Sequence, residues 1–288
     1  MDTMTIANDE PAAGRPRMQR ARGEGRLTTK HAHGRTRLAG LYQDGCAKIR
    51  LPRVFGDGPL EAVLINSSGG LTGGDRLDWS IAAGAETSTV VTTQASEKVY
   101  RASEGVARVT TRIEIGRDAR LAWLPQETIL FDRSALSRRL DISLARGGQA
   151  LLVEPVVFGR LAMREQLRRA VFHDRWRIRY NGRLIHAEDQ RFGPDIALQL
   201  ERSAMLSGMR AMATVVWVHP DAEDHVERVR ALVPGCGTGV SAWRPAGFAT
   251  GKLLARFVAE DGYTLRKRLA PVLAMLNGKA GVPKVWSI

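Results

Sequence analysis

Over much of its length the chain alternates apolar and polar residues with a period of two. Val109, Ile113 and Ile115 alternate with Arg108, Thr110, Arg112 and Glu114, and Leu140, Ile142 and Leu144 alternate with Arg139, Asp141 and Ser143. Only β-strands with one face against a core carry that pattern, because successive side chains point to opposite sides of a sheet. The signal runs from about Arg26 to about residue 215. Between the strands lie Gly84, Gly116-Arg117-Asp118, Gly147-Gly148 and Asn181-Gly182. The last separates Trp176-x-Ile178-x-Tyr180 from Leu184-Ile185-His186 and predicts a type I′ hairpin, whose two central residues take positive φ. Helical periodicity comes late. Pro220, Asp221, Glu223 and Asp224 followed by Arg228 and Arg230 predict a helix over 220–232, with acids at its positive end and bases at its negative end. A second helix is predicted over 263–277, bent at Pro271 and stopped by Asn277-Gly278. The fold class is therefore mainly β with a small helical element toward the C-terminus. Periodicity leaves sandwich, barrel and solenoid open.

The 288 residues include 44% hydrophobic and 25% charged positions, enough apolar surface for a sizeable core and too little bias for disorder. Residues 1–25 have no apolar period and read as a mobile basic leader, with a single β-rich domain over 26–288. No run of eighteen uncharged apolar residues occurs, and the N-terminus lacks the apolar block of a secretory signal, so the chain is expected in the cytoplasm and not in a membrane. The 43 Lys and Arg against 30 Asp and Glu give a net charge of +13, which suits a partner with an acidic surface. Cys46 and Cys236 lie far apart without a CxxC, which excludes disulfide frameworks and zinc-finger spacing.

Four glycines, Gly69, Gly70, Gly73 and Gly74, fall in the stretch Asn66-Ser-Ser-Gly-Gly-Leu-Thr-Gly-Gly-Asp-Arg-Leu77, after the apolar run Ala62 to Ile65. The spacing of Gly69 and Gly74 imitates a phosphate loop, but Asp75-Arg76 stand where that loop needs Lys-Ser/Thr, and Asp75 would repel phosphates. The stretch reads as a structural turn with a positioned Asp75. Glu154 sits alone in the apolar run Leu151 to Phe158, and a buried carboxylate must be paired, protonated or bound to a cation. Arg160 is its candidate partner. Glu127 and Asp132 flank Ile129-Leu130-Phe131, where they read as residues capping a strand end. The six histidines are scattered. His31-x-His33 is a weak metal clip beside the leader, HExxH is absent, and no G-x-S-x-G elbow accompanies a serine. The arginine runs read as solvated faces, with a basic nucleic-acid-binding β protein as the alternative class.

GGLTGGDRL (69–77), EKVYR (97–101), WLPQETILFD (123–132), FGR (158–160) and the terminal PKVWSI (283–288), in this order, resemble the urease accessory protein UreD family, also called UreH. GRTRL (34–38) and AKIRLP (47–52) resemble its opening strands. The chain departs from the family at Met163-Arg164-Glu165, where Gly-Glu usually follows FGR.

The resemblance implies a helicoid, β-helix-like stack of strands and a non-enzymatic scaffold of urease maturation. It implies binding to UreF, to the GTPase UreG through UreF, and to apo-urease subunits, with no nucleic acid and no membrane as partner. No tightly bound cofactor is implied, only Ni²⁺ in transit. A delivery route suits exchangeable oxygen ligands better than a thiolate or imidazole cage. The candidate route residues are Asp75, Glu97, Glu154, Glu165 and Glu188, with Ser96 as a hydroxyl ligand and Arg160 as an orienting partner.

Overall fold

The computed structural model describes residues 19–53, 58–160, 165–235 and 237–287; Arg164 and Cys236 lie outside them, as does most of the expected leader. The first strand, β1 (Arg22–Ala32), starts four residues before the expected domain boundary, and its hairpin partner is β2 (Arg35–Gly45). β3 (Ala47–Arg50) crosses to the second sheet. Four coils follow, each placing one strand in each sheet. In the first, β4 (Leu60–Asn66) leads to β5 (Arg76–Ala83). In the second, β6 (Ser88–Thr93) passes through the short β7 (Glu97–Val99) to β8 (Ala107–Ile115). In the third, β9 (Arg120–Leu124) passes through β10 (Thr128–Leu130) to β11 (Ala135–Leu144). The fourth joins β12 (Gln149–Phe158) to β13 (Val171–Tyr180). Within each sheet, the coil strands pair in parallel. The expected helicoid stack is thus a β-solenoid.

The register explains the period-two signal. Leu27, Ile81, Ile113, Ile142 and Ile178 occupy one rung across five strands of the first sheet. Opposite them in the second sheet run Val91, Trp123, Leu152 and Val216. All nine are buried in one cluster between the sheets. Each rung residue removes about 1.5–3 kcal/mol worth of apolar side chain from water, so slipping any strand by one residue would expose its share of the core.

The stack ends in antiparallel strands. β14 (Arg183–Phe192) closes the first sheet after the predicted hairpin, with Asn181 at φ 46° and Gly182 at φ 76°. After a five-residue helix, α1 (Ile196–Leu200), which the periodicity did not reveal, β15 (Ala211–His219) joins the second sheet. The expected helix over 220–232 is shorter: a 3₁₀ turn from Glu223 to His225 continues into α2 (Val226–Leu232). β16 (Thr238–Trp243) and β17 (Gly251–Ala259) complete the second sheet, whose outer face is covered by α3 (Gly262–Asn277). The Asp261 side chain caps α3 by accepting from the Thr264 N–H at 2.7 Å, and the helix runs through Pro271 to Gly278 at φ 60°.

The glycine stretch is a turn, as expected, with Asp75 as its clamp. Its carboxylate accepts from the Ala21 N–H at 2.8 Å and the Thr72 N–H at 2.7 Å, tying the start of β1 to the loop. Gly73 is required for space rather than for a positive φ, because a Cβ there would lie 2.1 Å from the Glu104 carbonyl oxygen. At Gly69, φ is 78° with nothing within 4 Å of a would-be Cβ. Gly73→Val should therefore abolish soluble folded protein, whereas Gly69→Ala should cost only about 1–2 kcal/mol of backbone strain. Soluble yield and thermal melts of the two variants check this.

Candidate functional site

The quoted motifs, far apart in sequence, meet on a short third face between the two sheets. The glycine stretch enters it where the Leu71 N–H donates to the Lys98 carbonyl and the Tyr100 N–H donates to the Leu71 carbonyl, both at 2.7 Å. β7 pairs with β10, and β10 pairs with β12, so EKVYR, WLPQETILFD and the strand ending in FGR form one parallel ladder. The C-terminal motif closes it: Trp286 Nε1 donates to the Leu124 carbonyl at 2.9 Å, and Gln126 Nε2 donates to the Val285 carbonyl at 2.8 Å. Glu127 is not a strand-end cap but is buried against α3, where the Arg266 guanidinium holds both its oxygens. Asp132 does cap, accepting from the Arg168 and Arg169 N–H groups.

Two apolar clusters flank this ladder, and a row of polar side chains runs between them. Inward-facing positions carry the row: Arg138 lies between Leu136 and Leu140, and Asp174 between Phe172 and Trp176. At its centre Arg138 grips Asp174 with two hydrogen bonds, 3.0 Å from Nε and 2.6 Å from Nη2. Arg138 Nη1 donates to Thr128 Oγ1 at 3.1 Å and to Glu154 Oε2. The other Glu154 oxygen accepts from Trp123 Nε1 at 2.8 Å, and Asp174 accepts from Trp176 Nε1 at 3.1 Å. Burial holds the Glu154 carboxyl above its ordinary value, the Asp174 charge adds to the rise, and Arg138 offsets only part of it. For Arg138, burial disfavours the charge, but Asp174 and Glu154 hold its pKa above the ordinary arginine value.

From this centre the row continues in both directions. Thr128 is the ladder neighbour of Glu97, whose carboxylate accepts from Asn66 Nδ2 at 3.1 and 3.2 Å. Burial raises the Glu97 pKa to about 7; the Asn66 hydrogen bond works against the rise and the Asp75 charge adds to it. Glu97 lines a cavity of about 240 Å³ shared with Asn66, Gly70, Trp79 and Ser96. On the other side Glu154 pairs across the ladder with Thr214, and Asp174 with Gln190. Gln190 Nε2 reaches Thr214 Oγ1 at 3.4 Å and Glu188 Oε1 at 3.3 Å. Glu188 accepts two hydrogen bonds from Arg256, at 2.7 and 2.6 Å, and lines an open surface cleft of about 440 Å³ with His186, Trp243 and Lys252. Burial lowers the Lys252 pKa to about 8, while burial and then the Lys252 charge lower that of His186 to about 4.

Three of the five candidate acids, Glu97, Glu154 and Glu188, thus share one row, with a cavity at the Glu97 end and a surface cleft at the Glu188 end. Asp75 adds to the charge near Glu97, but both its oxygens are engaged by backbone N–H groups. Glu165 is off the row. It pairs with Arg160 at 2.9 and 3.2 Å, beside a cleft lined also by Tyr100 and Phe131. Arg160 is therefore not the partner of Glu154; its guanidinium stacks 4.1 Å above the Phe131 ring, and Arg138 takes the expected role. Ser96 donates to Glu127 at 3.2 Å, next to the row. His31 Nδ1 lies 3.0 Å from the Glu86 carbonyl oxygen, and among the described residues no group of three or more His, Cys, Asp or Glu side chains is placed to hold a metal.

The family model described as UreD urease accessory protein matches residues 21–287. Urease accessory protein UreD 1 of Brucella melitensis is 53% identical over 285 residues, covering 99% of this chain and 100% of its own length. UreD of Mesorhizobium japonicum is 53% identical over 288 residues, with both chains covered in full. UreD of Rhizobium etli is 55% identical over 272 residues, covering 94% of this chain and 97% of its own.

The raised Glu97 pKa has a stability consequence with a defined sign. The folded state keeps a proton on Glu97 that the unfolded chain gives up near pH 4.5, so the contribution of Glu97 to stability falls as pH rises from about 4.5 through about 7. Glu97→Gln, which keeps shape and takes no charge, should flatten the stability-against-pH curve across this window. Thermal melts of both proteins between pH 5 and 8 check it, with the Gln variant gaining relative to wild type toward the alkaline end.

Proposed function

The chain belongs to the UreD urease accessory protein family, and from that premise we propose that it is a non-enzymatic scaffold of urease maturation that passes Ni²⁺ along its interior row. In this reading it holds apo-urease together with UreF and, through UreF, the GTPase UreG, in the cytoplasm. Among the described residues no helix is long and apolar enough to cross a membrane.

The observation that carries the reading is a row of polar side chains, neighbours in the strand register, that runs from Glu97 at a cavity through Glu154 to Glu188 at a surface cleft. Carboxylates, hydroxyls and amides are ligands that a divalent ion exchanges, whereas a closed set of thiolates or imidazoles would retain nickel. The glutamates spaced along the row offer successive carboxyl ligands in an interior that otherwise excludes ions, and a cation entering at Glu97 displaces the proton that burial holds there below about pH 7. Arg138 holds the central carboxylates when no ion is present. For a cation to pass, its guanidinium must release Glu154, and Asp174 and Thr128 give it partners to keep meanwhile.

The test is a double substitution at the two mouths, Glu97→Gln with Glu188→Gln, co-expressed with urease, UreF and UreG. Pull-down of apo-urease and UreF should match wild type, while nickel per urease active site, measured by elemental analysis on the same preparation, should fall together with urease activity. Full nickel loading in an intact complex would remove the row from the route. Loss of the complex would return both glutamates to a structural role.

A further inference from the structure

The two sheets treat their outer faces differently. α3 covers the second sheet, whereas the outer face of the first carries no layer among the described residues. Because Leu27, Ile81, Ile113, Ile142 and Ile178 point inward, the residues alternating with them point outward, and many are arginines. The register sets Arg22 opposite Arg76 and Arg76 opposite Arg108, three guanidinium-bearing positions in one rung on strands about 4.8 Å apart. A second rung sets Arg139 beside Arg175, and Arg179 follows on the same strand. Among the described residues Arg22, Arg76, Arg108, Arg175 and Arg179 have no carboxylate partner.

Like charges directly opposite one another on neighbouring strands destabilise a sheet. Such a rung becomes favourable when carboxylates from outside bridge the guanidinium groups, which accept them as planar two-pronged partners. We propose that this arginine face is a docking surface for an acidic protein segment. The inference goes beyond the nickel reading and does not depend on it.

A nucleic acid fits the face less well. Glu24 pairs with Arg26, Asp78 lies 4.0 Å from Arg112, and Asp141 pairs with Arg139, so a continuous phosphate backbone would meet negative charge along its path. The one exposed aromatic side chain of this sheet among the described residues, Tyr42, is at its edge, with Arg26 5.3 Å from its ring. Base stacking therefore has no platform on the face. A protein segment presents separate carboxylates, which can meet the unpaired arginines and avoid the acids.

The test measures binding of fluorescent poly-L-glutamate and of a duplex DNA to the full chain at physiological salt. It compares wild type with Arg76→Glu/Arg108→Glu on the face and with Arg228→Glu/Lys267→Glu on the helical side, which makes the same change in net charge. Wild type should bind poly-L-glutamate more tightly than DNA. The face variant should lose about tenfold in affinity for poly-L-glutamate and the control less than about threefold. Equal losses in the two variants, tighter binding to DNA, or no binding of poly-L-glutamate by wild type would each overturn the proposal. Should the face variant melt below the assay temperature, Arg108→Gln/Arg175→Gln is measured in its place against Arg228→Gln/Lys267→Gln, which makes the same change in net charge, with the same thresholds.

Discussion

A guanidinium enclosed between two carboxylates organises the interior. Arg138 is 6% exposed, Glu154 6% and Asp174 4%, and each comes from a different strand. Removing one member of such a group leaves an uncompensated buried charge, at a cost of about 3–5 kcal/mol. The whole group replaced by neutral side chains is often no less stable. Stability alone therefore does not account for charges at the centre of the solenoid, where the neighbouring rungs manage with isoleucine and tryptophan. The group also fixes the third face: Thr128, which Arg138 holds, is the β10 residue that pairs with both Glu97 and Val156.

The distant motifs gain a physical reason from that face. The glycine stretch must be small enough to pass under Glu104 and Tyr100. The C-terminal tryptophan seals one side of the ladder, and Arg266 of α3 neutralises Glu127 where it would otherwise be buried alone. A row of polar side chains results, with apolar clusters on either side, in a member of the UreD urease accessory protein family.

Much of this was legible in the sequence, and the limits were specific. Alternation at Val109 to Ile115 and Leu140 to Leu144 gave the strands, and Asn181-Gly182 gave a hairpin, because both depend on local geometry. Periodicity did not reveal the solenoid, since parallel and antiparallel strands alternate alike; the family resemblance supplied it. Glu154 was recognisable as a charge in an apolar run, but its partner was assigned to Arg160, six residues on, when the pairing is set by coil stacking. Arg138 and Asp174 were visible in principle: extending the phase of Leu140 and Trp176 back by two residues puts both on the inner face. Asp75 and Glu165 lie off the row, and their partners, backbone N–H groups for the one and Arg160 for the other, are set by loop contacts that charge and motif position do not reveal.

The central claim of the proposed function is that the interior charges serve passage of an ion beyond what the fold requires of them. It is tested most directly by neutralising the centre while keeping acceptors for the Trp123 and Trp176 N–H groups, with Arg138→Met, Glu154→Gln and Asp174→Asn in one chain. The measurement is nickel per urease active site in the co-expressed complex, read beside the melting temperature of the variant. The account predicts a folded, assembling protein with strongly reduced nickel loading. Nickel loading at the wild-type level by that neutral variant would contradict it.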